Sequence, residues 1–194
     1  DLAQRATVQA TRLGAEILTT QEAVKVRVED PTRYVLLADG AELSCKALII
    51  ATGVTVKRLA APGVDRLAGA GVYYGAARTE AANYRGQHVY VVGGANSAGQ
   101  GAMFFSRYAS QVTMLVRGEG LQASMSQYLI DQIAGTPNID LLTHTELVEV
   151  HGAERLEGLT LHDNSSGATW QAPAAALFLF IGAVPHSELV AGVV

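Results

Sequence analysis

Three observations predict an α/β fold: a three-layer, Rossmann-like domain with an antiparallel meander. First, a short apolar strand at residues 89–92 runs directly into Gly93-Gly94 and then into a helix of small residues. Second, strand and helix alternate from there to Gly135, and that order calls for right-handed crossovers and a parallel sheet. Third, the chain has 20 glycines in 194 residues. That is above the usual share of roughly 7% and suits many tight strand-to-helix turns.

Residues 2–13 read as a helix closed by Gly14, which suits the position just past a helix end. From residue 16 to 52 the pattern becomes strand-like. Residues 23–28 alternate with period two, as do parts of 34–38, and Asp30-Pro31 and Asp39-Gly40 are turn signals between them. The run Ala47-Leu48-Ile49-Ile50-Ala51 is continuously apolar, as expected of a strand covered on both faces. A connector over residues 55–71, holding Pro62-Gly63, Gly69 and Gly71, is the best domain boundary. Beyond it the pattern predicts a strand at 89–92, a helix at 97–108, a strand at 112–116 and a helix at 124–133, with Ser124 as its N-cap. Residues 139–181 return to strand texture with a turn at 163–167, giving a small meander before a last buried strand at 176–181.

Composition excludes several classes of function. The chain is 49% hydrophobic and 16% charged, enough apolar material for a sizeable core. A net charge of −4 argues against nucleic acid, which needs a basic face. The longest apolar run, residues 174–184, is shorter than the roughly 20 residues a membrane-spanning helix needs. Asp1-Leu2-Ala3-Gln4-Arg5 lacks the apolar core of a signal peptide, and no methionine begins the chain. A segment of a longer, cytoplasmic protein is therefore expected. Cys45 is the only cysteine, so the chain can form no internal disulfide and no multi-cysteine metal site. Its commoner role is that of a small buried hydrophobe on a strand.

The most informative string is Gly93-Gly94-Ala95-Asn96-Ser97-Ala98. It follows a strand and opens a helix, the setting in which a glycine motif points to phosphate binding. Gly93 permits the sharp turn, Ala98 lets the helix pack closely, and the free N–H groups at the helix start suit a pyrophosphate. Ala95 stands where the dinucleotide fingerprint has its second glycine, and its methyl group opposes close approach of the phosphates. The same string also reads as a plain glycine-rich turn. After the next strand comes Val116-Arg117-Gly118, where a fingerprint for NAD would place an acid. Arg117 suits a 2′-phosphate or stacking on adenine, and reads equally as a solvated strand end.

In their order along the chain, Ala47-Leu48-Ile49-Ile50-Ala51-Thr52-Gly53, Pro62-Gly63, Gly71-Val72, the Gly93 turn and Leu179-Phe180-Ile181-Gly182-Ala183-Val184-Pro185 resemble the thioredoxin-reductase-like pyridine nucleotide-disulfide oxidoreductases. The resemblance covers essentially the whole chain. It implies an FAD/NAD(P)-binding flavoprotein, present here as a fragment, and adds to the fold part of a second, similar domain: residues 1–62 the latter part of an FAD-binding domain, 63–185 an NAD(P)H-binding domain, and 186–194 a return towards the first. It further implies NADPH or NADH along Gly93, Gly94, Ala95, Asn96 and Ser97, with Arg117 near the adenosine end and Ile181 and Gly182 near the nicotinamide. Ile181 reads equally as a core strand residue. Thr52 and Gly53 would pass near the FAD, and hydride would move from nicotinamide to flavin.

The chain departs from the family's pattern in three ways. The redox-active CxxC falls at Gly75-Ala76-Ala77-Arg78, so Gly75 and Arg78 occupy the dithiol positions and the usual route to a disulfide substrate is not expected. Of the family's 2′-phosphate arginines only Arg117 is matched, the others aligning with Gly118 and Gln122. Neither the N-terminal FAD fingerprint nor the C-terminal flavin-contacting segment is present, so this piece alone is expected to be inactive. The partners implied are a nicotinamide dinucleotide, the missing FAD-domain segments or a fused regulatory domain, and a second copy in a homodimer. The rival reading is a non-catalytic, sensory nucleotide-binding module, favoured by Ala95, Gly118 and Gln122.

Other candidate residues carry less. His88, His144, His151, His162 and His186 have no recognisable metal-ligand spacing and read as surface or satisfied core residues, with His186 nearest the expected site. Ser106, Ser110, Ser124 and Ser126 lack a nucleophile elbow. Tyr73 and Tyr74 precede the dithiol position and read as packing at the connector or as facing the flavin in an intact parent.

Overall fold

The computed structural model describes residues 1–75 and 78–193, without the side chains of residues 78–80. The chain divides into two compact units, Asp1–Thr55 with Val184–Val194, and Val56–Ala183.

The first unit opens with α1 (Leu2–Arg12), whose N-terminus is capped by the Asp1 carboxylate accepting from the Ala3 N–H at 3.0 Å. Three antiparallel strands follow, β1 (Ala23–Glu29), β2 (Thr32–Leu37) and β3 (Glu42–Cys45), in spatial order β1-β2-β3. The two hairpins turn where Asp30-Pro31 and Asp39-Gly40 predict. Arg27 bridges Glu42 on β3 and stacks on Tyr34 of β2, 4.0 Å from the ring centroid. Residues 47–51, expected as a doubly covered strand, form no strand, and Ile49 is 91% exposed. Among the described residues no strand flanks this run on either edge. An apolar sequence cannot hold strand geometry in water without neighbours to take its backbone hydrogen bonds. Cys45 is likewise half-buried rather than buried. β4 (Val54–Val56) then leads into the second unit.

The second unit is built on β5 (Val72–Tyr74), α2 (Arg78–Asn83), β6 (His88–Val92), α3 (Asn96–Phe105), β7 (Gln111–Leu115), α4 (Gln127–Ala134) and β8 (Ile139–Leu142). The meander β9 (Thr145–His151), β10 (Gly158–Asp163) and β11 (Thr169–Pro173) comes next, before β12 (Ala176–Leu179). The main sheet has the order β5-β12-β6-β7-β8 with every pairing parallel, and the meander forms a separate antiparallel sheet. Finally β13 (Ala183–Pro185) pairs with β4 where the chain leaves the unit.

Side chains alternate across the main sheet and so define three layers. Val89, Val91, Val112, Met114, Ala176 and Phe178 face α3 and α4. Tyr90, Leu115, Leu177 and Leu179 face Leu159 and Leu161 of the meander. Small residues bring α3 close to its neighbours: a Cβ added at Gly99 would sit 2.7 Å from atoms of Leu129 and Met125, and one at Gly101 2.6 Å from the Phe180 ring. Aromatic rings fill the helix side, with Phe105 stacked on Phe178 at 3.8 Å and Tyr73 on Phe178 at 5.4 Å.

Both helices differ from their expected bounds. α3 gives way to a turn after Phe105. α4 starts three residues late because Leu121–Met125 closes a turn of its own, the Ser124 and Met125 N–H groups both donating to Leu121 O. Ser126, not Ser124, takes the N-cap position.

Candidate functional site

The carboxyl edge of the parallel sheet is where a doubly wound fold binds its ligands, outside the strand ends. Backbone bonds fix which segments meet there. Gly93 N–H donates to Leu115 O at 3.1 Å, Phe180 N–H to Val92 O at 2.9 Å, and Gly75 N–H to Leu179 O at 3.1 Å. The Gly93 turn therefore lies between residues 180–182 on one side and Val116-Arg117 on the other. Thus Gly93, Gly94, Ala95, Asn96, Ser97, Arg117, Ile181 and Gly182 are brought to one edge.

Gly93 has φ +138°, a conformation closed to side-chain-bearing residues. An added Cβ there would lie 2.6 Å from Phe180 O and 3.0 Å from the Ala98 Cβ. Gly94 is small for a different reason: its Cβ would meet Val116 Cγ1 at 3.1 Å. Ala95 is the N-cap of α3 with an extended backbone (φ −98°, ψ 176°), and its side chain offers no capping group. The first N–H groups of the helix have no intrahelical acceptor, and Ala95, Asn96 and Ser97 are all exposed. No acidic residue stands in the first turn to repel an anion. These features fit a pyrophosphate.

Two side chains near the turn are already engaged. Asn96 Oδ1 accepts from the Ser126 N–H at 2.8 Å, and Ser124 Oγ donates to Gly94 O at 2.9 Å. Neither bond was legible in the sequence, since each spans 30 residues. Arg117 is exposed, with no ion pair among the described residues. Lys57, which sequence reasoning passed over, donates its N–H to Gly182 O at 3.1 Å, and its Cδ lies 4.0 Å from where a Gly182 Cβ would stand.

Thr52 and Gly53 sit in the first unit. The Thr52 hydroxyl donates to His186 O, the His186 N–H donates to Gly53 O at 3.0 Å, and Thr55 Oγ1 lies 2.8 Å from His186 Nε2. All of these residues are exposed, and by themselves they do not enclose a flavin. Of the dithiol positions, Gly75 closes β5, Arg78 begins α2 without a described side chain, and Ala76 and Ala77 lie outside the described residues.

The remaining candidates have structural partners. Tyr73 OH meets Tyr84 OH at 2.9 Å, and Tyr74 OH accepts from the Leu59 N–H at 3.0 Å. His88, His151 and His162 each place a ring nitrogen against a threonine hydroxyl, of Thr113, Thr160 and Thr169 respectively. His144 instead sits in the left-handed region at φ 52°. Burial pushes the His88 imidazole below its ordinary pKa, against an opposing pull from Asp140. Among the described residues no cluster of His, Cys, Asp or Glu could hold a metal ion, and no helix is long and apolar enough to cross a membrane.

A parallel sheet with a glycine turn at its carboxyl edge, helices on one face and a meander on the other, defines a Rossmann-type nucleotide-binding domain. Residues 3–193 match the family model described as pyridine nucleotide-disulphide oxidoreductase, and the chain belongs to that family. It is 33% identical over 192 residues to a thioredoxin reductase of Streptomyces clavuligerus, covering 99% of this chain and 58% of that protein. It is also 33% identical over 186 residues to a bifunctional thioredoxin reductase/thioredoxin of Mycobacterium leprae, covering 96% of this chain and 40% of that one. Among solved structures, thioredoxin reductase from Giardia duodenalis superposes with a TM-score of 0.75 at 25% identity, over 97% of this chain and 60% of that one. The chain thus spans less than two thirds of the length of these relatives.

Proposed function

We propose that this chain is the pyridine-nucleotide-binding part, with an adjoining portion of the FAD-binding domain, of an FAD-dependent NAD(P)H oxidoreductase resembling thioredoxin reductase. The observation that carries this reading is the Gly93 turn, held at the carboxyl edge of the parallel sheet in a chain of this family. On this reading residues 1–62 belong to the FAD-binding domain, 63–185 to the NAD(P)H-binding domain, and 186–194 return to the first. The intact protein is cytoplasmic and dimeric.

Bound at this edge, a nicotinamide dinucleotide supplies a hydride. The chain's own task is to bind and orient it. The amides of Ala95, Asn96 and Ser97 receive the pyrophosphate at the helix N-terminus. Arg117 meets the adenosine end, and Ile181 and Gly182 flank the nicotinamide. Thr52 and Gly53 lie against the flavin of the complete protein. Arg117 stands beside Gly118 rather than a second arginine, so neither NADPH nor NADH is singled out by charge. With Cys45 as its one cysteine, the chain offers no dithiol relay of its own, and a quinone, oxygen or another domain takes the electrons.

Isothermal titration of the purified chain with NADH and with NADPH tests the site, and binding of at least one is expected. In the full protein loaded with flavin, adding NAD(P)H should bleach the flavin absorbance. Absence of both binding and bleaching there would overturn the enzyme reading. Binding without bleaching would favour the second reading, a sensory nucleotide-binding module, which the exposed Ala95 methyl at the phosphate position supports.

A further inference from the structure

The loop after β7, residues 117–126, is stitched to the glycine turn at two points. Ser124 Oγ donates to Gly94 O at 2.9 Å, and the Ser126 N–H donates to Asn96 Oδ1 at 2.8 Å. Beneath these bonds the loop has an apolar floor: Leu121 and Met125 are 2% and 6% exposed. The Met125 Cε lies 2.7 Å from where a Cβ on Gly99 would be. The packing would hold the loop near the turn without any polar bond. The two bonds therefore have an orienting effect that packing does not supply.

In a planar trans peptide the C=O and the following N–H point in opposite directions. Turning Gly94 O towards Ser124 thus turns the Ala95 N–H away from the loop, into the open edge where Ala95, Asn96 and Ser97 are exposed. Asn96 meanwhile spends its side-chain acceptor on the start of α4, so that α3 and α4 begin at a fixed spacing. Arg117 sits at the other end of the same loop.

We propose that Ser124 and Asn96 are positioning residues for the dinucleotide pyrophosphate: they lock the Gly94–Ala95 peptide and the Arg117 loop together, so that amides and guanidinium reach one ligand. This rests on the reading of the edge as a dinucleotide site. Neither residue touches the reacting atoms. The clasp also bears on Ala95, since a turn lacking the usual second glycine depends more on a fixed amide direction to keep the phosphate in reach.

The test uses the flavin-loaded full protein, as wild type and as the variants Ser124→Ala, Ser124→Thr and Asn96→Ala. NADH and NADPH affinities are measured by isothermal titration, amide hydrogen exchange at Ser126 is followed without ligand, and a thermal melt is recorded. Ser124→Ala and Asn96→Ala should each weaken binding by about tenfold, as the loss of one hydrogen bond allows. Ser124→Thr should restore affinity to within about twofold, and exchange at Ser126, whose N–H donates to Asn96 Oδ1, should quicken in Asn96→Ala while the melting temperature barely moves. If the wild type binds a dinucleotide and Ser124→Ala binds it equally well, the clasp is overturned and the site stands. If the wild type binds neither dinucleotide, the site reading falls and the clasp with it. A loss of affinity that Ser124→Thr does not restore, or that follows the melting temperature, marks a structural role and also overturns the proposal.

Discussion

Replacing Gly93 with alanine puts the turn under the most direct stress. At φ +138° a residue with a Cβ is strained by about 1–3 kcal/mol. The new methyl group would also sit 2.6 Å from Phe180 O and 3.0 Å from the Ala98 Cβ. Neither neighbour yields easily, because Phe180 is tied to Val92 by a 2.9 Å backbone bond and Ala98 is fully buried. Overpacking of this kind adds about 1–3 kcal/mol, while the stiffer unfolded chain returns about 0.4–1 kcal/mol. The net loss is about 1–5.5 kcal/mol, or a fall in melting temperature of roughly 2–20 °C for a chain of this length. Thermal unfolding followed by circular dichroism measures it. Gly118→Ala is the internal control, because nothing lies within 4 Å of its added Cβ, and it should change stability by less than about 0.5 kcal/mol. A Gly93→Ala protein melting within about 1 °C of wild type would show that the turn relaxes freely, and the close-approach reasoning would be wrong.

Other consequences follow from burial and charge. Because burial lowers the folded-state pKa of His88, the unfolded chain binds its proton more readily. The stability this contributes is present above the unfolded value of 6.5 and is lost as pH falls through the lower folded value. NMR titration should find the His88 ring protonating below 6.5, and a midpoint above that value would reverse the assignment. Ile49→Ser should alter the stability of this chain by no more than about 0.5 kcal/mol, since Ile49 is 91% exposed, whereas in the full-length protein it should cost clearly more. Equal effects in both, read by urea titration, would count against the placement of residues 1–62 in a larger domain. Limited proteolysis should cut first within residues 13–22 or 46–53 and leave residues 56–183 intact, as mass spectrometry would report; early cuts within the main sheet would contradict the division into units.

Much of the second unit was legible because its signals are local. The strand at β6, the glycines that follow it and the small residues of α3 state the turn within about ten residues, and the parallel sheet follows from the alternation of strand and helix. The meander was legible for the same reason, its hairpin turn being fastened by Asp163, whose carboxylate accepts from the backbone and hydroxyl groups of Ser165 and Ser166. What failed depends on distant partners. The run at 47–51 carries every mark of a buried strand, yet a sequence cannot state whether a neighbouring strand is there to pair with it. The clasp was missed because Ser124 looks like a helix cap, and its acceptor, Gly94 O, lies on another element.

That failure at 47–51 is informative about the first unit as a whole. Among its described residues only Val26, Leu37 and Val190 are buried hydrophobics, while Leu2, Leu13 and Ile49 are each more than four-fifths exposed. Three buried side chains contribute about 1.5–3 kcal/mol each, far below the conformational entropy of ordering a helix and three strands. The second unit, by contrast, buries side chains on both faces of its sheet. The apolar pattern of residues 1–55 therefore finds few partners within the first unit, as the proposed placement of residues 1–62 in a larger FAD-binding domain would require.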